Sequence, residues 1–355
     1  MKKSHSIART ALAYATIAIL GACSNSGSQL GPAPSSLTPQ NTQNFRLTMQ
    51  SRGLAPLFGL RTGIRAHQGR SWMSPAAKSS NLLYISNPDP ANQAVFVFSY
   101  PRGQLVGTLT GIGYPQGECV DAAGNVFITS LQAQGIYEFA HGGTTPINTL
   151  TDPTAGDPEG CSVDPTTGNL AVTNFYGPGG VGQGDVLVYP NATGTPVQYQ
   201  PVNIYHLSYP AYDNAGNLFV DGVDQNFLNP SLAELAHGGS AFATVALTPP
   251  IQLAGNVQWD GKFLAVGGGN AQQGAFISRF VVSNGKGYLI GTTPLTGISQ
   301  LAGFLDEFWI RGKRVVGPDI LEGVVLSWNY PAGGSPIKAI TGLSYPYAAT
   351  VSKGP

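Results

Sequence analysis

The chain has 355 residues, and its 18 Lys and Arg residues balance 18 Asp and Glu residues, so the formal net charge is zero. This balance excludes a uniformly basic protein of the kind that binds nucleic acid through a basic face. Charged residues make up only 10% of the chain, whereas 47 Gly and 27 Pro predict many turns. The 42% of hydrophobic residues suffices for a core, so we expect a turn-rich folded domain.

The N-terminus has the pattern of an export signal. Basic residues precede an apolar run from Ala11 to Leu20, which ends in Gly21-Ala22-Cys23. A run of about ten residues is half the length of a membrane-spanning helix and suits a signal peptide. The stretch resembles a bacterial lipoprotein signal, which implies that residues 1–22 are removed and that Cys23 becomes a lipidated N-terminus. An ordinary secretory signal with a chance Cys is the alternative.

The lipoprotein resemblance also implies a location. The acylated Cys23 would hold the protein to a lipid bilayer in the bacterial cell envelope, on the extracytoplasmic side. In Gram-negative lipoproteins, a residue other than Asp after the Cys implies sorting to the outer membrane, and this chain has Ser24.

The next segment has the composition of a linker. Residues 24–44 are almost all Ser, Gly, Pro, Asn, Gln and Thr, which cannot bury enough apolar area to order the chain. Residues 45–80 carry scattered apolar residues without a period, although a short packed segment there is compatible with the composition. We assign residues 23–80 to a flexible, basic tether and residues 81–355 to one folded domain.

A repeat begins after the tether. An apolar strand, the turn Asp-x-x-Gly-Asn and a second apolar strand recur, most clearly at residues 119–130, 162–174 and 211–222. The first Asp residues of the copies are spaced by 43, 49 and 47 positions: Asp121, Asp164, Asp213 and Asp260. A period in this range indicates an array of supersecondary units. We assign these Asp residues to turn formation, because an Asp side chain caps a turn and Gly adopts positive φ.

Each copy continues with a strand, a Gly-rich turn and another apolar strand, which gives units of four short antiparallel strands. Such units predict an all-β fold, a β-propeller. We count six blades, whose inner strands fall near residues 117–120, 160–163, 209–212, 256–259, 301–305 and 347–351. The first unit has no inner strand before it, so we expect the C-terminal strand to complete the first blade and close the ring.

The pattern Pro115-x-Gly117-x-x-x-Asp121-x-x-Gly124-Asn125-x-Phe127 resembles the NHL-repeat and gluconolactonase-like six-bladed propellers. The resemblance covers about residues 81–355. It implies a funnel face, formed by the starts of the inner strands and by the loops between the second and third strands of each blade. It does not select an activity, because one fold supports many functions.

Charge and side-chain type mark the funnel face for ligand binding. Residues 1–88 hold nine Lys and Arg and no acid, whereas residues 89–355 hold nine bases and all 18 acids. Acids, amides and aromatic residues together suit a glycan, a cation or a basic protein surface. The alternative is a solvated rim of turn-forming residues. The candidate ligand-binding residues are Tyr114, Glu118, Asp157, Glu159, Asn174, Tyr176, Tyr209, Asp221, Asp224, Asn226 and Asn270.

Two enzymatic alternatives depend on resemblance. A gluconolactonase-like hydrolase is expected to hold one divalent cation with Glu, Asn and Asp in the funnel, and Glu118 and Glu159 offer oxygen ligands for Ca²⁺ or Mg²⁺. The usual Glu within a Glu-Gly-Pro-x-Trp-like stretch has no match here. Residues 135–139 also resemble streptogramin-lyase-like propellers, which need a catalytic His in a funnel loop. His206 precedes an inner strand but stands alone, and His141 and His237 fall in hairpin turns.

The cysteines that remain after Cys23 fall in adjacent inner strands. Cys119 and Cys161 lie near the predicted ring axis, and the envelope permits disulfides. A disulfide between two blades and a pair of buried free thiols both fit the sequence, which does not give the Cα separation that a disulfide needs.

The pattern as a whole predicts a membrane-anchored, extracytoplasmic and monomeric propeller that binds a glycan or a protein through its funnel face. We expect no catalysis and no cofactor, and neither a Gly-x-Ser-x-Gly elbow nor a phosphate-binding loop occurs. The alternative is a lactonase or related hydrolase that depends on Ca²⁺ or Mg²⁺.

Overall fold

The computed structural model describes residues 63–66, 69–251, 255–270, 274–298 and 305–355. This part of the chain is all-β, as predicted, and contains no helix that is both long and apolar enough to span a membrane. Cys23 and residues 1–62 lie outside the described residues.

The described strands follow one another in short hairpins. In chain order they are β1 (Trp72–Met73), β2 (Leu82–Asn87), β3 (Ala94–Ser99), β4 (Leu105–Leu109), β5 (Pro115–Val120), β6 (Val126–Ser130), β7 (Gly135–Phe139), β8 (Pro146–Thr151), β9 (Pro158–Val163), β10 (Leu170–Asn174), β11 (Val186–Tyr189), β12 (Val197–Tyr199), β13 (His206–Tyr212), β14 (Leu218–Val223), β15 (Pro230–Leu235), β16 (Ala243–Thr248), β17 (Val257–Trp259), β18 (Leu264–Asn270), β19 (Gly274–Ser283), β20 (Lys286–Leu295), β21 (Trp309–Arg311), β22 (Arg314–Asp319), β23 (Val324–Asn329), β24 (Lys338–Ile340) and β25 (Ala348–Ser352).

Four-stranded antiparallel units recur along the chain, as the repeats predicted. Strands β5–β8, β9–β12 and β21–β24 each form a separate sheet in sequence order. Strands β13–β16 and β17–β20 have the same order, but they join into one eight-stranded sheet. The junction is a short parallel pairing of β16 with β20, in which Ala246 lies opposite Lys286 and Thr248 opposite Tyr288.

The C-terminal strand pairs with the first sheet. Strand β25 runs antiparallel to β2, with Leu82 opposite Ser352 and Ser86 opposite Ala348. The resulting five-stranded sheet has the order β1-β4-β3-β2-β25. This is the pairing predicted from the absence of an inner strand before residue 81, and it covers an edge that β2 would otherwise expose.

The first strands of successive units lie side by side, and we call them the inner strands. Strand β25 contacts β5, β5 contacts β9, β9 contacts β13, β13 contacts β17, and β21 contacts β25. The backbones approach closely at two glycines. A Cβ on Gly117 would lie 2.3 Å from the carbonyl oxygen of Glu159, and one on Gly160 would lie 2.6 Å from the Tyr209 ring.

The inner strands define two faces. The funnel face is the end at which they begin, and the opposite face is the end at which they finish. One inner strand differs from its predicted position. The sixth was expected at residues 301–305, whereas the described strand is β21, Trp309–Arg311, and residues 301–304 lie outside the described part.

The repeated Asp residues form turns on the opposite face. The backbone N–H and side-chain amide of Asn125 both donate to the Asp121 carboxylate, each at 2.8 Å. Gly124 between them has φ of 89°, a conformation that glycine adopts at little cost. Asn217 donates to Asp213 in the same way. The structural role predicted for these Asp residues is confirmed.

Apolar side chains fill the spaces between neighbouring units. One cluster joins Phe96 of β3 and Val351 of β25 to Val316 of β22, and all three side chains are fully buried. Burial of each such side chain contributes about 1.5–3 kcal/mol. These interfaces fix how the inner strands converge on the axis.

Part of the segment assigned to the tether belongs to the folded domain. Strand β1 pairs with β4, with Trp72 opposite Thr108. Ala77 in the following 3-10 turn is buried, and the backbone N–H of Ala66 donates to Asn92 at 2.8 Å. The absence of a periodic pattern hid this segment, because a two-residue strand leaves no detectable alternation.

Candidate functional site

The predicted ligand-binding residues do not line one open site. Seven of the eleven side chains are at most 2% exposed: Tyr114, Glu118, Asp157, Glu159, Asn174, Tyr209 and Asp221. Tyr176 and Asp224 are half-buried, Asn226 is exposed, and Asn270 is the last residue of β18. Ligand binding through these residues stays a prediction. All but Asp157, Asp221 and Asn270 fall into an axial cluster with its covering tyrosines, a polar network or a surface platform.

The axial cluster consists of Glu118, Glu159 and Glu307, and each of these carboxylates is at most 3% exposed. The backbone N–H of Glu118 donates to Glu307 Oε2 at 3.0 Å. Oε1 of Glu118 accepts from the Ser86 hydroxyl at 2.8 Å, whereas its Oε2 is buried without a hydrogen bond of ordinary geometry. Glu118 of β5, Glu159 of β9 and Glu307, two residues before β21, thus come together from distant parts of the sequence.

The environment of Glu118 and Glu307 favours their neutral forms. Burial is the main cause that raises the pKa of Glu118 well above the ordinary value of a glutamate, although the Ser86 hydrogen bond acts against it. Burial, together with the charges of Glu118, Glu159 and Asp306, raises the pKa of Glu307 well above its ordinary value. Burial also raises the pKa of Tyr84, whose neighbours include Glu118, to about 12.

Tyrosines cover the axial cluster on the funnel face. The hydroxyls of Tyr347 and Tyr209 donate to Glu159 Oε1, the latter at 3.4 Å. The rings of Tyr345 and Tyr347 stack at 6.5 Å, and Tyr114 belongs to the same buried cluster. Within the described residues, no group of three or more His, Cys, Asp or Glu side chains is placed to hold a metal ion.

A buried polar network lies beneath the funnel face in the β9–β12 unit. The Asn174 amide donates to Asp152 at 2.8 Å and to Asp185 at 2.7 Å. Gln198 donates to the second oxygen of Asp185 at 2.7 Å. Burial raises the pKa of Asp185, and the hydrogen bond from Asn174 acts against this shift. These bonds connect the loop after β8 to strands β10 and β11.

Three neighbouring loops of the funnel face form a surface that we call the platform: residues 175–185, 200–205 and 224–229. Hydrogen bonds join the first loop to the second, and the second to Val223 directly before the third. Gln183 Nε2 donates to the carbonyl oxygens of Pro201 and Ile204 at 3.0 and 2.9 Å. The backbone N–H of Gly184 donates to Tyr205, whose own N–H donates to Val223 at 2.8 Å. The platform is therefore a single ordered surface built from two neighbouring units.

Stacked rings support the platform. His206, which is only 3% exposed, stacks on Phe227 with ring centroids 4.1 Å apart and planes 10° apart. On the platform's inner side it stacks on Phe175 at 5.2 Å, and Tyr176 and Tyr205 contact its ring edge-on. His206 thus belongs to a cluster of aromatic rings, in which the Phe175 and Phe227 centroids also lie only 6.3 Å apart. The sequence did not reveal this cluster because its members come from separate loops.

One platform loop is held rigidly by its first residue. Asp224 accepts hydrogen bonds from the backbone N–H groups of Asn226 and Leu228 and from the backbone and side chain of Asn229. These bonds lower the pKa of Asp224. Phe227 then adopts φ of 60°, which is an outlier for a bulky residue. Asp224 therefore shapes the loop, as expected for a turn-forming residue.

Apolar side chains are exposed on the platform. Phe227 is 42% exposed, Leu228 71%, Val181 66% and Val202 85%. The three loops contain no Lys or Arg, and Asp185 and Asp224 are their only charged residues. Single exposed apolar residues are common, but here four of them lie on neighbouring loops of one face. These four residues could not be predicted from the sequence, because the residue type does not reveal its exposure.

A cavity of about 330 Å³ opens on the opposite face, where the inner strands end. Its walls come from β5, β9, β13, β17 and β21 and from the turns that follow them. Glu307 of the axial cluster lines the cavity, which contains side chains that the sequence analysis did not select, notably Trp259, Trp309 and Arg311. Glu307 was missed because the sixth inner strand was placed several residues too early.

Cys119 and Cys161 form a disulfide in the structure. Their Cα atoms are 5.5 Å apart, within the range that a disulfide spans. The bond links the inner strands β5 and β9 of neighbouring units and lies in the wall of the cavity. The sequence left open a disulfide between two blades or a pair of free thiols, and the structure has the disulfide.

Comparison with known proteins identifies the fold but no family. No protein-family model and no curated protein matches the chain. Among solved structures, the chain is similar to one in the crystal structure of a nidogen/laminin complex, with 15% identity and a TM-score of 0.58 over 78% of this chain and 99% of that one. A protein of unknown function from Bacteroides caccae is similar over 77% and 99%, with 10% identity and a TM-score of 0.55.

A virginiamycin B lyase from Staphylococcus aureus, in a catalytically inactive form with quinupristin, is similar over 74% of this chain and 85% of that one, with 13% identity and a TM-score of 0.48. Identities this low indicate the fold alone. The chain has a β-propeller-like fold with four-stranded antiparallel blades.

Proposed function

We propose that this protein is a binding module that captures a protein partner through the platform on its funnel face. The observation that carries the proposal is the cluster of exposed apolar side chains on three loops held together by hydrogen bonds. Aromatic anchors surrounded by less critical contacts dominate the energetics of protein interfaces. Phe227 has this character, because the stack on His206 and the Asp224 turn fix its ring before binding.

A protein partner fits this surface better than a glycan does. Leu228, Val181 and Val202 offer aliphatic contact and no hydrogen-bonding groups, whereas a sugar needs polar partners for its hydroxyls. The platform is free of positive charge, so the partner surface would be apolar with basic residues at its edge. Pre-ordered loops reduce the entropy lost on binding.

We further propose six blades. The β13–β16 and β17–β20 units each keep their own antiparallel order, and among the described residues the only strand pairing between them joins the outer strands β16 and β20. Contacts between the inner strands run from β25 through β5, β9, β13 and β17, and side-chain hydrogen bonds connect the β17 region to Phe308 and Ile310 beside β21. Treating the eight-stranded sheet as two blades gives a closed set of six and agrees with the NHL-like repeat pattern.

The proposed setting is the bacterial cell envelope. The sequence of residues 1–23 resembles a lipoprotein signal, so Cys23 would anchor the domain to the outer membrane on the extracytoplasmic side. The hydrolase alternative has less support. It needs a bound cation, and the described residues contain no group of three or more His, Cys, Asp or Glu side chains that could hold one. Monomeric binding to one partner, without a cofactor, is the simplest form of the proposal.

Site-specific photo-crosslinking tests the platform in intact cells. A photoreactive phenylalanine analogue placed at Phe227 or Leu228 of the full-length chain should give crosslinks to one and the same protein. The matched control is Ile147, an exposed apolar residue on the outer strand β8 with 57% exposure. Crosslinks of equal yield from position 147, or none from the platform, would contradict the proposal.

The identified partner then allows a quantitative test. Phe227→Asn removes the ring and keeps the left-handed backbone that Asn tolerates. Loss of an interface anchor typically costs 2 kcal/mol or more, so we expect a Kd at least about 30-fold higher. Ile147→Asn should leave the Kd unchanged. Equal affinity of the Phe227→Asn variant and the unaltered protein would exclude the platform as the binding surface.

A further inference from the structure

Basic side chains gather on the opposite face of two neighbouring units, the first sheet and the β21–β24 unit. We call them the basic patch, and they are Lys78, Arg102, Arg311, Lys313, Arg314, Lys338 and Lys353. In the described part of these two units, the acids lie at the funnel ends of the strands or in the loops there: Asp89, Asp306, Glu307, Asp319 and Glu322. The opposite ends of the two units therefore carry positive charge only.

Hydrogen bonds and close contacts join the turns of the basic patch into one surface. The backbone N–H of Tyr330 donates to the carbonyl oxygen of Lys313 at 2.8 Å, which connects the two turns of the β21–β24 unit. A Cβ on Gly103 would lie 2.9 Å from Lys338 Cε, so Lys338 reaches the β3–β4 turn that carries Arg102. The basic patch thus crosses the interface between the two units.

The C-terminal end of the chain belongs to the same surface. The backbone N–H of Gly354 donates to Asn81 Oδ1 at 3.1 Å, and the carbonyl oxygen of Asn81 accepts from the backbone N–H of Tyr100 at 2.8 Å. Lys353 therefore lies next to the start of β2, between the 3-10 turn before this strand and the β3–β4 turn.

The bases of the patch are available to a partner. Within the described residues, their side chains donate no hydrogen bond and form no ion pair. Arg311 and Arg314 are half-buried, and the other five are exposed. Burial raises the pKa of Tyr100, and the charges of Arg314 and Arg311 act against this rise, because both guanidinium groups lie near its ring. Two of the bases therefore flank the Tyr100 turn, and no acid of either unit neutralises them.

Apolar groups are exposed beside these bases. Ile337 directly precedes Lys338 and is 44% exposed, and Pro101, Pro331 and Ala332 are exposed in the neighbouring turns. A sugar or a folded protein needs hydrogen-bonding groups in a fixed arrangement, whereas no hydrogen bond fixes the basic side chains here. Flexible bases around aliphatic groups suit a surface that carries many mobile anions over an apolar layer.

We propose that the basic patch docks the domain on an anionic lipid bilayer. Each Lys or Arg near such a surface strengthens the attraction about fivefold. Ile337 and the neighbouring prolines would enter the headgroup region, where buried apolar area adds to the electrostatic attraction. This contact is independent of a lipid at Cys23, which would bring the domain to the bilayer without fixing the face that meets it. The platform on the funnel face would then remain open to its partner.

Photo-crosslinking in vesicles tests which face meets the lipid. The full-length chain carries a photoreactive phenylalanine analogue at Ile337 and is reconstituted with phosphatidylcholine vesicles that contain or lack phosphatidylglycerol. Lipid adducts at position 337, measured by mass spectrometry, should be at least about fivefold more abundant with the anionic lipid. Salt at about 1 M shortens the Debye length to about 3 Å and should remove this difference. Leu228, which is 71% exposed on the funnel face, is the control position and should give few lipid adducts.

Variants locate the contact in the basic patch. Replacement of both Lys313 and Lys338 by Gln removes two exposed charges and should lower the yield of lipid adducts at position 337 at least about fivefold. Replacement of both Arg65 and Arg70 by Gln is the matched control, because it removes two exposed charges that lie outside the patch, and it should leave the yield unchanged. Thermal unfolding of each variant verifies that it is folded.

Four results would overturn the proposal. They are equal yields at position 337 in neutral and anionic vesicles, equal yields at positions 228 and 337, and an unchanged yield in the folded Lys313→Gln, Lys338→Gln variant. The fourth is crosslinking of position 337 to a protein in place of lipid in intact cells, which would make the patch a protein-docking surface. None of these results alters the crosslinks expected from Phe227, so failure at one face is distinguishable from failure at the other.

Discussion

The buried glutamates at the axis predict an unusual dependence of stability on pH. Glu118 and Glu307 are at most 3% exposed, and burial raises the pKa of both carboxyls well above their ordinary value. A group whose pKa is higher in the folded state stabilises that state fully below the pKa of the unfolded chain, about 4.3 for Glu. This contribution is lost as the pH rises through the folded-state pKa.

The size of the effect follows from proton linkage. Each carboxyl that is protonated in the folded state and ionised in the unfolded state lowers the free energy of unfolding by about 1.4 kcal/mol per pH unit. Two such groups give a slope of about −2.7 kcal/mol per pH unit from pH ~4.3 up to the lower of their two folded-state pKa values. The variants Glu118→Gln and Glu307→Gln replace a titrating group by a neutral amide of similar shape and should each remove about half of this slope.

The assay is chemical unfolding followed by tryptophan fluorescence between about pH 4.5 and 8. The useful quantity is the difference between variant and unaltered protein at each pH, since other carboxyls titrate equally in both. The charge of Glu118 contributes to the raised pKa of Glu307, so the double variant should deviate from the sum of the single ones. The control is Glu322→Gln, which alters an exposed glutamate in the β22–β23 loop.

A difference that stays constant with pH would refute this reasoning. It would mean that Glu118 and Glu307 are ionised in the folded state. A slope of the opposite sign would require their pKa values to be lowered by folding.

Three further predictions concern the covalent and topological features. Replacement of both Cys119 and Cys161 by Ser should lower the free energy of unfolding by about 4 kcal/mol, the loop-closure value for a separation of 42 residues. Peptide mapping of the unaltered protein under non-reducing conditions should show the two cysteines linked. Two alkylatable thiols in the native protein would refute the bond. Deletion of residues 343–355 removes β25, all five residues of which are buried, so calorimetry should show loss of the cooperative unfolding transition, and an unchanged melting curve would contradict closure by this strand. Cys23→Ala should release the protein from the membrane fraction, whereas a variant that remained membrane-bound would exclude a lipid anchor at this residue.

The repeats determined much of the fold. The turn motif and the apolar strands around it are local, because Asp121, Gly124 and Asn125 complete their turn within five residues. Strand order within a unit follows from short hairpins, and the missing inner strand before residue 81 predicted the pairing of β25 with β2. These features depend on residues close in sequence or on simple counting, so the sequence by itself was sufficient for them.

The tertiary structure decided what each candidate residue does. Glu118 and Glu159 were selected as surface ligands, yet the convergence of inner strands buries them with Glu307 beneath Tyr209 and Tyr347. The exposure of Leu228 and the position of Lys338 beside Gly103 were likewise absent from the pattern. Burial and partners are set by contacts between units some 40–50 residues apart or more, and a single sequence gives the residue type at a position but not its neighbours in space.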